Sequence, residues 1–68
     1  MQPVSSSNIS AIGYDSENAT LAVLFNNGGL YNYFSVTAAE YETLANADSK
    51  GTALAQHIKG RHSFQKLS

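Results

Sequence analysis

The sequence contains no cysteine, so neither a disulfide nor a thiolate metal site can staple the chain. Basic residues are missing from positions 1–48, and all four lie between 49 and 68. Charged residues of either sign make up only 13 % of the chain, against about 25 % in a typical domain. The apolar runs are a few residues long, far short of the roughly 20 that a membrane helix needs, so no membrane partner is expected. Proline occurs once, at Pro3. Met1-Gln2-Pro3 and the serines that follow have neither the basic start nor the apolar stretch of an export signal. Without such a signal and without cysteine, a cytoplasmic protein is the expectation.

What is present is enough to fold. Hydrophobic residues are 43 % of the 68, which argues against disorder as the main state. A chain this short makes one domain and buries only about 60 % of the surface its unfolded form exposes. Packing alone must hold it, with a stability of a few kcal/mol, or with help from a partner subunit. The pattern divides into a flexible N-terminus at 1–7, a single domain at 8–60 and a basic C-terminal tail at 61–68, with Phe64 and Leu67 as the tail's apolar anchors.

The ordered part changes period once. Asn8–Tyr14, Thr20–Phe25 and Leu30–Phe34 read as strands, with β-branched and aromatic residues between turn signals. Asp15–Asn18 is a polar turn. Asn26-Asn27-Gly28-Gly29 is a hairpin, because Asn and Gly tolerate positive φ. From Val36 the signals are helical. Thr37 is an N-cap, Glu40 three residues on completes a capping box, and Val36 can staple onto Tyr41. This helix runs to about Ala47 and presents Tyr41, Leu44 and Ala45. A second helix starts at the Ser49 cap and runs from about Lys50 to Lys59, with Leu54, Ala55 and Ile58 inward and Gly60 closing it. The fold class is therefore α+β: a three-stranded antiparallel β-meander followed by two short helices packed on one face.

Which sheet face is buried depends on the hairpin register. A three-residue loop at Asn27-Gly28-Gly29 pairs Phe25 with Tyr31 and gathers Leu21, Val23, Phe25, Tyr31 and Tyr33 on one face. A two-residue loop at Asn27-Gly28 pairs Phe25 with Leu30 and turns the tyrosines to the side of Ala22 and Leu24. The first gives one strongly apolar face for the helices. It leaves Ala22, Leu24, Asn32 and Phe34 outside as an apolar strip, and such a strip often marks association.

Three features bear on binding. Tyr31 and Tyr33, two apart on a strand, point to one face. They are either a stacking platform for bases, worth about 1–3 kcal/mol per base, or core residues with hydroxyls at the sheet edge. Ser49-Lys50-Gly51 opens a helix and offers either an anion site, with Lys50 adding charge and Gly51 letting a phosphate approach, or an ordinary Ser cap. Lys59, Arg61 and Lys66, with Lys50, form a sparse basic patch. The five acids Asp15, Glu17, Glu40, Glu42 and Asp48 all precede it, and the net charge is −1. Four phosphate contacts on a single strand would give a salt slope of about −3. A sequence pI near 6.0 is far below the value above 9 usual for nucleic-acid domains, so any such binding is weak.

Catalysis is not expected. His57 and His62 straddle Gly60 and do not share a helix face as a metal pair would. The carboxylates sit in turns or a first helical turn, and no serine has a nucleophile setting. A domain this small has little room for a pocket of about 300 Å3. No catalytic residue, cofactor or metal is assigned.

The ordered set of residues resembles the KTSC family. It runs through Ser7-Asn8-Ile9, Ile12-Gly13-Tyr14-Asp15, Leu21 to Phe25, Gly28, Tyr31-Asn32-Tyr33, Val36, Ala47 to Gly51 and His57-Ile58-Lys59, and covers roughly residues 5 to 64. The family is named for a domain at the C-terminus of some lysyl-tRNA synthetases and also occurs as free-standing small proteins in bacteria and phages. The chain departs from the pattern at Arg61-His62-Ser63-Phe64, a region often more basic and aromatic. The resemblance implies a small binding module with RNA as the suggested partner. The expectation is weak nucleic-acid or phosphate binding through Tyr31, Tyr33, Ser49, Lys50, Gly51, Lys59, Arg61 and Lys66. The alternative is a protein-interaction module or homodimer using Ala22, Leu24, Asn32 and Phe34.

Overall fold

The computed structural model describes residues 2–3 and 8–68. The expected loose start at 1–7 falls mostly outside the described residues; within it, Gln2–Pro3 forms β1. Then follow β2 (Ile9–Asp15), β3 (Thr20–Phe25), β4 (Leu30–Tyr33), α1 (Ala38–Ala45), α2 (Lys50–His57) and β5 (Phe64–Lys66). The strands form one antiparallel sheet in the order β1-β2-β3-β4-β5.

The expected meander is thus the centre of a five-stranded sheet. The correction comes from both ends of the chain, above all from the presumed tail. After the helices the chain returns to the open edge of β4. There the Phe34 N–H donates to the Ser63 carbonyl at 2.9 Å and the Leu67 N–H to the Leu30 carbonyl at 2.7 Å. These bonds satisfy backbone groups that an edge would leave to water. A three-residue strand carries too little alternation to be seen in sequence.

The hairpin keeps the expected parity but not the expected loop. Leu21 pairs with Tyr33 and Val23 with Tyr31. The loop is Asn26-Asn27-Gly28: the Gly28 N–H donates to the Phe25 carbonyl at 2.9 Å and the Phe25 N–H to the Gly29 carbonyl at 2.8 Å. Gly28 takes the left-handed position, φ +91°, which closes a three-residue hairpin loop. Gly29 serves another purpose. A Cβ there would lie 3.1 Å from Asn27 Oδ1 and 3.4 Å from the Tyr31 ring, so its bare backbone lets the turn fold onto Tyr31. A register shift of two residues preserves the faces, and Leu21, Val23, Phe25, Tyr31 and Tyr33 do share one.

That face carries the core. Ile9, Ile12, Leu21, Val23, Tyr33, Val36, Leu44, Ala53, Leu54 and Ile58 are buried. Each fully buried Leu or Ile contributes about 1.5–3 kcal/mol. Ile9 and Ile12 are an odd number apart, and a bulge between Ile9 and Ala11 turns both inward. In α1 the capping box forms: Thr37 Oγ1 accepts the Glu40 N–H at 3.1 Å and Glu40 Oε1 accepts the Thr37 N–H at 2.9 Å. Val36 is buried, while Tyr41 stacks on Tyr14 with ring centroids 4.9 Å apart. In α2 the inward stripe is Ala53, Leu54 and Ile58, and Ala55 is exposed. The buried stripe lies one residue to the other side of Leu54 than the spacing suggested. Ile58 caps the helix, and Gly60, two residues further, turns the chain with φ +82°.

Among the described residues, no helix covers the opposite sheet face. Ala22 pairs with Asn32 and Leu24 with Leu30, and these, with Ala11 and Phe34, are half-buried. No helix among the described residues is long and apolar enough to cross a membrane.

Candidate functional site

The helices cover the inner face incompletely. Toward β4 and β5 they leave an open groove of about 730 Å3 lined by the hairpin loop, both strands and the end of α2. This exceeds the pocket of about 300 Å3 for which so small a domain is expected to have little room. The space exists because β5 widens the sheet beyond what two eight-residue helices span.

The floor is a set of four aromatic rings. Phe25 meets the edge of Tyr31 at 5.3 Å, Tyr31 lies 6.3 Å from Tyr33, and Phe64 touches both tyrosines at 5.7 and 5.8 Å. Strand pairing dictates this arrangement, since Tyr33 sits opposite Phe64 and Tyr31 opposite Lys66. Tyr33 is 3 % exposed, Tyr31 half-buried and Phe64 58 % exposed. The rings thus grade from core to open surface. Burial pushes the Tyr33 phenol above its ordinary pKa, with Tyr31 beside it adding to the shift.

Two cations stand over the floor. Lys59 Nζ is 5.4 Å from the Phe25 centroid and Lys66 Nζ is 6.0 Å from that of Tyr31. Both distances lie within cation–π reach. An ammonium beside an exposed ring can meet a phosphate while the ring meets a base. Among the described residues, no group of three or more His, Cys, Asp or Glu could hold a metal ion.

Of the residues singled out in the sequence, the fold brings Tyr31, Tyr33, Lys59 and Lys66 together. It leaves Ser49, Lys50 and Gly51 at the other end of α2, roughly 12 Å along its axis. Ser49 caps the helix by accepting the Thr52 N–H at 3.4 Å, and Lys50 Nζ donates to the Ala47 carbonyl at 3.0 Å. A Cβ on Gly51 would run into the side-chain amide of Asn8, so glycine there permits close packing of α2 on the start of β2. Arg61 is exposed in the turn before β5 and does not line the groove. Sequence reasoning missed Phe25 and Phe64 as site residues. The signal was available for Phe25, already placed on the tyrosine face, but Phe64 needed β5.

The loop leading into β5 is pinned by His62. Its Nδ1 lies 3.0 Å from the Phe34 carbonyl and its Nε2 2.7 Å from Glu40 Oε2. The Glu40 carboxyl is held below the ordinary carboxylate range, first by the Thr37 N–H it accepts and then by His62.

Comparison with known proteins gives a consistent family. The model described as KTSC domain matches residues 5–64. A lysine–tRNA ligase from Nostoc punctiforme is 39 % identical over 60 residues, covering 88 % of this chain. The chain spans only 11 % of the length of that relative. A protein from Tsukamurella paurometabola is 39 % identical over 61 residues, covering 90 % of this chain and 91 % of its own. The crystal structure of a KTSC domain protein from Yersinia pestis superposes with a TM-score of 0.95 at 39 % identity, covering 98 % of this chain and 94 % of that one.

Proposed function

Since the chain belongs to the KTSC domain family, we propose that it is a small accessory module that binds single-stranded RNA weakly through the groove between the hairpin, β5 and the end of α2. The observation that carries this is the four-ring floor with Lys59 and Lys66 poised over it. Stacking on aromatic rings accepts any base, at about 1–3 kcal/mol each. Two stacked bases would give roughly 2–6 kcal/mol, a dissociation constant between tens of millimolar and tens of micromolar. The relative named a lysine–tRNA ligase makes RNA the first partner to test. Titration of the 15N-labelled chain with an oligouridylate at low salt tests the reading. Shifts should concentrate at Phe25, Gly28, Gly29, Tyr31, Lys59 and Phe64. Shifts centred on Ser49–Gly51, or none at all, would overturn it.

A second reading uses the opposite face, where Ala11, Ala22, Leu24, Leu30, Asn32 and Phe34 are half-buried with no helix over them. There the chain would pair with a second copy. Sedimentation equilibrium of Leu24→Glu against the unaltered chain tests it. A monomer at millimolar concentration before substitution removes this reading.

A further inference from the structure

We infer that His62 is a proton-controlled latch that holds β5, and with it one wall of the groove, against β4. Both ring nitrogens face acceptors, the Phe34 carbonyl at 3.0 Å and the Glu40 carboxylate at 2.7 Å. A neutral imidazole has one N–H, so its second nitrogen would turn a lone pair toward an oxygen. Only the imidazolium donates to both. Neither partner can reverse its role. The carbonyl has no proton, and the Glu40 carboxyl, held below the ordinary carboxylate range first by the Thr37 N–H on its other oxygen, stays an acceptor. The His62 side chain is 10 % exposed, so water replaces a lost contact poorly.

The two contacts join separate elements. Phe34 follows the last residue of β4, and Glu40 stands in the first turn of α1. The next residue, Ser63, accepts the Phe34 N–H at 2.9 Å, so His62 and Ser63 together engage both backbone groups of Phe34. Beyond them, Phe64, Gln65 and Lys66 are all exposed. An edge strand with so little buried area sits at the low-stability end of a fold, and the latch adds two side-chain contacts to its backbone ladder. The charged group facing the ring is Glu40 from α1. β4 offers only the carbonyl, and the exposed Arg61 adjoins in sequence. Imidazoles exchange their second proton between about pH 5 and 8. The latch is therefore closed while His62 is charged and opens as pH rises and that proton leaves. Its consequence for binding rests on the groove reading: Phe64 and Lys66 move with β5, so ligand affinity and proton affinity raise each other.

The test is NMR on the full chain from about pH 5 to about pH 8. Ring 15N shifts report the protons on His62, and hydrogen-exchange protection, corrected for intrinsic rates, reports the ladder. Protection of the Phe34 and Leu67 amides should fall at least tenfold as the ring loses its second proton, while that of Val23 stays constant. In His62→Gln protection at Phe34 should be lower and flat with pH, and in Glu40→Gln, whose amide can donate to a neutral ring, the pH dependence should be lost. A ring that carries one proton while the ladder stays protected, or flat protection in the unaltered chain, overturns the proposal. Oligouridylate anisotropy across the same range separates the two readings. A titrating ladder with no RNA binding leaves the latch standing and removes the groove's function; binding without a titrating ladder does the reverse.

Discussion

Salt should weaken oligonucleotide binding modestly, and the slope counts the cations that touch phosphate. Each neutralised phosphate on a single strand contributes about 0.7 to the fall of log K with log salt. The groove holds two lysines, Lys59 and Lys66, so the slope should be about −1.4. A rise from about 50 to about 200 mM then lowers affinity about 7-fold. If Lys50 and Arg61 also met phosphate, the slope would be about −3 and the loss about 50-fold. The structure argues for the smaller value, because Lys50 Nζ is bonded to the Ala47 carbonyl and Arg61 lies outside the lining. Fluorescence anisotropy with labelled oligouridylate, at several salt concentrations, measures it. Lys59→Gln and Lys66→Gln should each bring the slope to about −0.7, and Lys50→Gln should leave it unchanged. A slope near zero, or a larger effect from Lys50→Gln than from either groove lysine, would refute the reasoning.

Phe64→Ala should cost about 1–3 kcal/mol of oligouridylate binding by the same assay, while the thermal melt moves little, since Phe64 is 58 % exposed. Gly51→Ala should destabilise the fold by about 1–3 kcal/mol in urea, because the new methyl meets Asn8, and should leave RNA binding per folded molecule intact. Leu44→Ala removes a fully buried side chain at about 2–5 kcal/mol. For a domain this small that approaches the whole stability, so amide dispersion in a one-dimensional NMR spectrum should collapse. Glu40 titrates below the ordinary carboxylate range. Its stabilisation is complete above that range and is lost as pH falls through the lowered value. Urea midpoints should therefore drop on acidification, and Glu40→Gln should flatten that drop.

Local chemistry was readable where one short segment carries the whole cause. Thr37 and Glu40 are three residues apart and form their capping box as expected. The strand Thr20–Phe25 appears with its expected bounds, because alternation and β-branching act within six residues. The face shared by Tyr31 and Tyr33 also followed, since a register slip of two leaves every side chain on its face. The sequence left Ser49-Lys50-Gly51 open between an anion site and an ordinary Ser cap. It could not show why position 51 is glycine, because Asn8, which a Cβ there would meet, lies more than forty positions away in the chain. Ala55 was placed inward for a related reason: helix spacing defines a stripe, but the packing of α2 on the sheet chooses its centre.

The basic residues in the last twenty positions were evident from the chain alone, and so was their scarcity, because composition needs no fold. Their partition was not. Lys59 and Lys66 meet the aromatic floor, Lys50 folds back on Ala47, and the exposed Arg61 lies outside the groove's lining. The length of α2 separates Lys50 from Lys59, and the closing of β5 onto β4 brings Lys66 to the floor. That closure pairs residues about thirty positions apart through backbone bonds that any sequence can make. The same closure brings His62 between Phe34 and Glu40, a contact written in no local motif.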